Sequence, residues 1–316
     1  MKRNKKLVHG PSVRYFQHSA GIVNNKKPAL VRLVLPMLST LMLLGGGGYY
    51  GLVQYQKSRP VVLSNQSQFE PVEIKEAEES TINLEPFQAR EDELLAGEIQ
   101  KTIDSLPDDT EWAVSVRDLN SGRMANINSD KKMEAASFYK MFLLAPLEKR
   151  LSADYWSSYI GSQPISECVI AMIEISDNDC PVSLGDYMGW NTVDILNHEL
   201  GFNNTTVNTT DGNKTTAKDM SELVYRLQNS MILSDKARRL VFDALYEQRY
   251  RDGIPTGCGQ DCLVGNKTGN LDGIKHDAAV VKHREAHYII VIMSTGNGSW
   301  DQVAEIAGSV DKAMLP

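Results

Sequence analysis

Ser137-Phe138-Tyr139-Lys140 runs directly into Met141-Phe142-Leu143-Leu144, an apolar stretch typical of a buried helix. At the start of a helix, free backbone N–H groups and the helix dipole stabilise negative charge, which suits a nucleophilic oxygen. A lysine three residues later lies on the same helical face, over the serine. Its pKa falls in a partly desolvated, cation-rich pocket, so it can accept the serine proton. The stretch predicts Ser137 as a nucleophile and Lys140 as its base.

The S-x-x-K spacing occurs a second time, in Ser129-Asp130-Lys131-Lys132. This copy is polar throughout and follows a strand-like segment, so it predicts a solvated turn. Taken alone, the Ser137 copy is also compatible with a helix-capping serine followed by a solvated lysine. The interpretation therefore depends on the motifs that follow.

Two further short motifs lie downstream. Ser176-Asp177-Asn178 comes after an apolar segment with helical spacing, 168–173, so it sits where a buried helix ends. Lys267-Thr268-Gly269 lies between a strand-like approach, 262–265, and a predicted turn, 270–273. The structural alternatives are an ordinary turn between helices for the first motif and a strand end with a surface lysine for the second.

In this order the three motifs resemble the signature of class A β-lactamases and penicillin-binding proteins, within the penicillin-recognising superfamily of β-lactamases and DD-peptidases. The resemblance covers residues 90–316. It implies an α/β (α+β) fold, a β-lactamase/transpeptidase-like antiparallel sheet flanked by helices with an inserted all-helical subdomain. It also implies a serine hydrolase acting on cyclic amides, without a cofactor or metal, whose substrate is a β-lactam or peptidoglycan-like small molecule.

The resemblance assigns roles to the first two motifs. Ser137 is acylated with Lys140 as base, and Ser176 relays a proton to the leaving nitrogen. Asn178 contacts the substrate amide and Lys140.

The third motif is implied to line the opposite side of the cleft. Lys267 and Thr268 bind the substrate carboxylate, and Gly269 permits close backbone approach. The N–H groups of Asn270 and Ser137 form the oxyanion hole.

A Ser-His-Asp triad is the alternative catalytic arrangement, because His198, His276, His283 and His287 are available. No nucleophile-elbow pattern supports it. The segment around His276 resembles the basic segment that follows K-T-G in many members of the superfamily, so Lys275 or His276 could help hold the substrate carboxylate. A turn-edge histidine without that role is an equal alternative.

One part of the family pattern is missing. Class A β-lactamases carry a glutamate, in a loop after S-D-N, that activates the deacylating water. Here the corresponding stretch, 201–214, contains no glutamate, and Asp211 is its only carboxylate. Glu199 belongs to the preceding helix and is predicted to face solvent. Acylation is therefore expected and fast hydrolysis is not, which leaves three candidate functions: a β-lactamase, a DD-peptidase or related acyl-transfer enzyme, and a non-hydrolytic penicillin-binding sensor.

The hydrophobic pattern predicts secondary structure along the same region. A helix is expected at 91–105, a strand at 112–117, and a hairpin through Asn120-Ser121-Gly122 into 123–128. Residues 151–250 are expected to be mainly helical, with one helix at 192–200 and another capped by Thr216. Strands are expected at 264–267, 278–282 and 288–293, followed by a final helix over 303–314.

The chain has 316 residues, enough for one large catalytic domain and a tail, and its net charge of −7 argues against nucleic acid as a partner. Residues 1–32 are basic, with no acidic residue, and 33–53 carry no charge over a length that can span a bilayer. Because the basic flank stays inside, we expect a cytoplasmic tail (1–32), a single-pass membrane anchor (33–53), a flexible spacer (54–89) and an extracytoplasmic catalytic domain (90–316). A cleaved signal peptide is the alternative, but no small-residue cleavage site follows the apolar run.

All four cysteines fall in the predicted outer domain. An even number in an oxidising compartment predicts two disulfides, and proximity in sequence favours Cys168 with Cys180 and Cys258 with Cys262. A four-cysteine zinc site is the alternative, but a Cys-x-x-x-Cys pair combined with an eleven-residue gap between Cys168 and Cys180 is poor spacing for one.

Overall fold

The computed structural model describes residues 90–150, 155–207 and 212–315. The predicted tail, anchor and spacer (1–32, 33–53 and 54–89) and Asp211 lie outside these residues. Within the part that is described, no helix combines the length and the apolar character needed to cross a membrane.

The domain is built around a six-stranded sheet with strand order β1-β3-β2-β10-β9-β8. Only the short β1 pairs parallel, with β3, and the other neighbours are antiparallel. The strands are β1 Arg90–Glu91, β2 Thr110–Asp118, β3 Arg123–Ile127, β8 Leu263–Leu271, β9 Ile274–His283 and β10 Ala286–Gly296.

The helices and short elements follow in chain order. They are α1 Glu93–Ser105, β4 Met133–Glu134, a 3₁₀ helix Ala136–Leu143, α2 Leu144–Arg150, a 3₁₀ turn Tyr155–Ser157, β5 Tyr159–Ile160, β6 Gln163–Pro164, α3 Ile165–Glu174, α4 Asp179–Met188, α5 Trp190–Glu199, β7 Lys214–Thr215, α6 Ala217–Gln228, α7 Asp235–Tyr246, α8 Ile254–Cys258 and α9 Trp300–Met314.

Alternation along the central strands creates two hydrophobic cores. In β10, Ile289, Val291 and Met293 face the helices α2 to α7, whereas Ile290 and Ile292 face α1 and α9. Because successive side chains of a strand point to opposite faces, a strand buried on both faces is apolar throughout. The predicted fold class, a sheet between terminal helices and a helical subdomain, is therefore confirmed.

Several predicted elements are confirmed with shifted ends. Thr216 caps α6 by accepting a hydrogen bond from the Asp219 N–H, and both predicted disulfides are present, Cys168–Cys180 and Cys258–Cys262. The Ser129 segment forms a turn, as expected.

Two predicted boundaries were wrong. The segment that carries Ser137 is a 3₁₀ helix before it becomes the α-helix α2 at Leu144. Lys267-Thr268-Gly269 is in the middle of β8 and not at a strand end, because pairing with β9 continues to Leu271 opposite Ile274. The turn is thus only Asp272-Gly273, where Gly273 has φ +68 and a Cβ would collide with the Gly296 carbonyl.

Candidate active site

Ser137 is the second residue of the 3₁₀ helix and lies half-buried in the wall of a cavity of about 450 Å³. Ser176, Asn178, Thr268 and Asn270 line the same cavity, so the three sequence motifs meet at one place. They come from the helical region and from the edge strand β8, which places the cavity between the two parts of the domain.

The backbone is strained on both sides of this cavity. Ala136, directly before Ser137, has φ +46, and Ser176 has φ +56, a region that L-residues other than glycine rarely occupy. Such conformations cost about 1–3 kcal/mol each and cluster at functional sites.

Lys140 is buried behind Ser137, with 1% of its surface exposed. Its Nζ donates hydrogen bonds to the Ser176 carbonyl oxygen at 2.6 Å, to Asn178 Oδ1 at 2.8 Å and to Ser176 Oγ at 3.2 Å. Burial lowers the Lys140 pKa to about 8, although the charge of Asp177 opposes the shift. The lysine can therefore exist as a neutral amine near neutral pH, as a general base requires.

Lys267, on β8, contacts the same hydroxyl group as Lys140, that of Ser176. Its Nζ donates to Ser176 Oγ at 3.0 Å and to the Thr268 carbonyl oxygen at 2.9 Å, and its side chain is fully buried. Burial and then the positive charge of Lys140 lower the Lys267 pKa to about 7, while Asp277 opposes the shift. The interpretation of Lys267 as a surface lysine was wrong.

Ser176 Oγ therefore stands between two lysine ammonium groups. Its loop is fixed at the start of α4, where Asp177 Oδ1 accepts a hydrogen bond from the Cys180 N–H at 2.8 Å, and the Cys168–Cys180 disulfide ties α3 to α4. This loop is more than a turn between helices, because its serine contacts both lysines.

Gly269 explains how β8 comes so close to the Ser137 segment. A Cβ at this position would lie 3.3 Å from the Ala136 Cβ and 3.1 Å from the His276 Cβ. Both separations are tighter than ordinary side-chain packing allows, so only glycine lets the strand and the Ser137 segment touch without a shift.

The pairing register of β8 leaves the backbone N–H of Asn270 without a partner on β9. Asn270 is opposite Lys275, whose own N–H donates to Ser294 Oγ and not to β8. The pair is therefore of the non-hydrogen-bonded type, in which both N–H groups point away from the partner strand. Since β8 is at the edge of the sheet, the Asn270 N–H faces the open side, as an oxyanion donor requires.

His276 cannot hold a substrate carboxylate. It is fully buried in β9, its Nε2 lies 2.8 Å from the Glu134 carbonyl oxygen, and its Nδ1 accepts from the Ser294 N–H at 3.1 Å. Burial lowers its pKa to about 4, so the ring is neutral. The turn-edge interpretation was wrong too. Lys275 Nζ donates to the Leu271 and Ile274 carbonyls of the hairpin turn.

Sequence reasoning missed one acidic residue at the site. Asp252 is exposed and is the single carboxylate among the described residues that line the cavity, beside Tyr250 and Trp300. An Asp-Gly pair such as Asp252-Gly253 is a common turn, so nothing in the sequence marked it. Glu199 faces solvent, as predicted, and pairs with Lys149.

Asp277 is a second acidic residue near the site, and unlike Asp252 it is buried, on β9 next to Lys267. Its carboxylate accepts hydrogen bonds from the Ile254 N–H and from Asn266 Nδ2, both at 2.9 Å. Burial raises its pKa to about 7. The carboxylate is held by these donors away from the cavity lining and supports the strand that carries Lys267.

Residues 152–314 match the model of the beta-lactamase enzyme family. This chain belongs to that family. Solved structures agree on the fold: PBP-A is 22% identical over 71% of this chain and 97% of its own, with a TM-score of 0.63. The β-lactamase from Streptomyces albus G is 17% identical over 70% of this chain and 99% of its own, with a TM-score of 0.63. A class A β-lactamase from Clostridium kluyveri is 16% identical over 70% of this chain and 99% of its own, with a TM-score of 0.61. No curated protein sequence matches the chain.

Proposed function

We propose that this family member is a membrane-anchored, extracytoplasmic serine hydrolase of the class A β-lactamase type, acylated at Ser137 by β-lactams and slow to release the acyl group. One observation carries the acylation half of the proposal. Ser176 lines the same cavity as Ser137, and its Oγ contacts both Lys140 and Lys267, which are themselves buried.

Acylation follows from these contacts. Ser137 Oγ attacks the lactam carbonyl carbon while its proton passes to the neutral amine of Lys140. The N–H groups of Ser137 and Asn270 stabilise the oxyanion. As the carbon–nitrogen bond breaks, the Ser176 hydroxyl gives its proton to the nitrogen and takes one from the Lys140 ammonium, 3.2 Å away.

Lys267 and Thr268 bind the carboxylate that penicillins and peptidoglycan stems both carry. The Lys267 ammonium already contacts Ser176, so it adds positive charge to the cleft without exposing itself to bulk water. A buried cation without a carboxylate in contact favours an incoming anion.

We infer slow deacylation from the positions of the acidic residues near the cavity. Loop residues 201–207 and 212–214 carry no glutamate, and Asp252 lines the cavity on the side of Tyr250 and Trp300. A missing general base costs about 10²–10⁴-fold in rate, so the acyl-enzyme should accumulate. PBP-A, a structural neighbour, has been solved as a point variant in an acyl-enzyme complex with penicillin G.

The anchored location rests on the sequence alone. The basic segment 1–32 followed by the uncharged 33–53 favours an inside-to-outside orientation. The two disulfides fit an oxidising compartment. Cell fractionation with protease treatment of intact cells tests this part: the catalytic domain should be membrane-bound and cleavable from outside.

Intact-protein mass spectrometry of the full-length chain with benzylpenicillin tests the chemistry. We expect a penicilloyl adduct that persists well beyond its formation time. Ser137→Ala should abolish the adduct, whereas Ser129→Ala, in the other S-x-x-K copy, should retain it. Equal labelling of wild type and Ser137→Ala would overturn the assignment.

A DD-peptidase is the second candidate function, favoured by the anchor that the sequence predicts and by the lack of a loop glutamate among the described residues. Turnover of nitrocefin and of a D-Ala-D-Ala peptide separates the two functions. Fast peptide release with a stable penicilloyl adduct indicates the peptidase, and an adduct without turnover of either substrate indicates a sensor. Fast nitrocefin turnover would require a water-activating base, which Asp252→Asn and Asp211→Asn would identify.

A further inference from the structure

A second polar cluster lies on the other face of the sheet, under α9. Asp311 is at its centre: Tyr288 Oη donates to Asp311 Oδ1 at 2.8 Å, and His283 Nδ1 lies 2.8 Å from Asp311 Oδ2. Cys258 Sγ, part of the disulfide with Cys262, is 3.2 Å from Asp311 Oδ1. The catalytic proposal uses none of these groups.

Four of these side chains form a donor set for a metal ion. One ligand atom from each of Cys258, Cys262, His283 and Asp311 lies within 4.8 Å of all the others. Donors around a tetrahedral Zn²⁺ are roughly 3–4 Å apart, given metal–ligand bonds of about 2.0–2.3 Å. The Cys-x-x-x-Cys spacing is also within the range that zinc sites use.

We propose that this cluster is a redox-controlled zinc site, in which reduction of the Cys258–Cys262 disulfide lets both thiolates, one ring nitrogen of His283 and one carboxylate oxygen of Asp311 bind a single Zn²⁺. In the oxidised chain the two sulfurs bond to each other. An external dithiol supplies two electrons and two protons, becomes a disulfide itself and leaves two thiols. Zn²⁺ then displaces the two thiol protons.

The residues and the solvent access around the four ligands are compatible with a bound metal ion. Tyr288 holds the Asp311 carboxylate in place, as hydrogen-bond partners of metal ligands do. Among the described residues, His283 Nε2 is buried and has no hydrogen-bond partner, so the imidazole is only half satisfied in the disulfide form. Cys262 is partly exposed, whereas Cys258 is buried, so a reductant would approach the disulfide from the side of Cys262.

The other disulfide provides a matched comparison. Cys168 and Cys180 are 0% and 1% exposed and lie in the hydrophobic core of the helical region. A reductant reaches this pair less readily, and its neighbours are apolar, so it should contribute no metal site.

Metal binding by the full-length chain tests the proposal. The protein is reduced without oxygen, mixed with Zn²⁺ or Co²⁺, and freed of excess metal. We expect one zinc per chain and, with cobalt, a thiolate-to-metal charge-transfer band with the strong visible bands of a tetrahedral site. The untreated, oxidised chain should bind neither metal.

Variants make the test specific. The double variant Cys258→Ser/Cys262→Ser and the single variant Asp311→Asn should each lose at least tenfold in metal occupancy, and Cys168→Ser/Cys180→Ser should keep one equivalent. Three results would overturn the proposal: no metal on a reduced chain that keeps its circular dichroism, unchanged binding by the Cys258/Cys262 variant, or unfolding on reduction despite added zinc.

Discussion

The two faces of the sheet each bury a polar cluster, and the clusters are built on opposite charges. On the cavity face, two lysines share Ser176 Oγ, and no carboxylate contacts either ammonium among the described residues. On the α9 face, the Asp311 carboxylate is surrounded by the donors Tyr288 and His283.

Burial has a different consequence in each cluster. Two buried cations in contact with neutral acceptors have lowered pKa values, about 8 for Lys140 and about 7 for Lys267, and so can exchange protons near neutrality. A carboxylate that accepts several hydrogen bonds holds helix to sheet instead. Four predictions follow from this contrast.

Lys140→Met should have the largest effect. Without its base, acylation of Ser137 by benzylpenicillin should slow by about 10²–10⁴-fold. Rapid-quench mass spectrometry gives the second-order rate constant. The control is Lys149→Met, an exposed lysine paired with Glu199, which should acylate at the wild-type rate. A loss of less than tenfold for Lys140→Met would assign the base to another group.

Lys267→Met should change both the rate and its pH dependence. In wild type, acylation needs Lys140 neutral as base and Lys267 charged to bind the carboxylate. The two lysines titrate as a pair with pKa values of about 7 and about 8, so the rate should rise up to about pH 7, be greatest between these values and fall above about pH 8. Removing Lys267 costs about 10–100-fold, the equivalent of one hydrogen bond to a charged group.

The same variant also moves the rising limb. Lys140 then titrates alone and has lost a neighbouring positive charge, so the limb should shift from about pH 7 to about pH 8 or above. Lys282→Met, an exposed lysine on β9, is the control and should leave the profile unchanged. An unshifted rising limb in Lys267→Met would show that the two lysines do not titrate as a pair.

Tyr288→Phe tests the α9 face. It removes one donor from the buried Asp311, so the free energy of unfolding should fall by about 1.5–3 kcal/mol, measured by urea denaturation. Acylation of the folded protein should not change. The exposed Tyr187→Phe should alter neither quantity. Slower acylation in Tyr288→Phe would mean that the two faces are coupled.

The effect of His276→Gln should be confined to the pH dependence of stability in acid. The His276 pKa is about 4 in the folded chain against 6.5 in the unfolded chain, so the unfolded state binds more protons between these values. Stability is therefore lost as pH falls from about 6.5 to about 4, by up to about 1.4 kcal/mol per pH unit. In the variant this slope should be shallower. An identical slope would mean that His276 is charged in the folded state.

Much of the fold could be predicted because its signals are local. Alternating or continuous apolar runs gave the strands, and the Thr216 cap marked the start of α6. The ends of β8 could not be predicted, since they depend on pairing with β9.

Residue type and spacing along the chain were enough to find the three motifs and to favour both disulfide pairs, and the class of fold followed from the resemblance of those motifs to a known family. Only the tertiary structure decided that Lys140 and Lys267 meet at Ser176 and that Asp252 lines the cavity. It also showed that His276 is buried in β9, with its Nε2 beside the Glu134 carbonyl oxygen and not in the cleft. The physical reason is that a pKa, a charge pair or a cavity wall depends on burial and on neighbours distant in sequence, which no local pattern encodes.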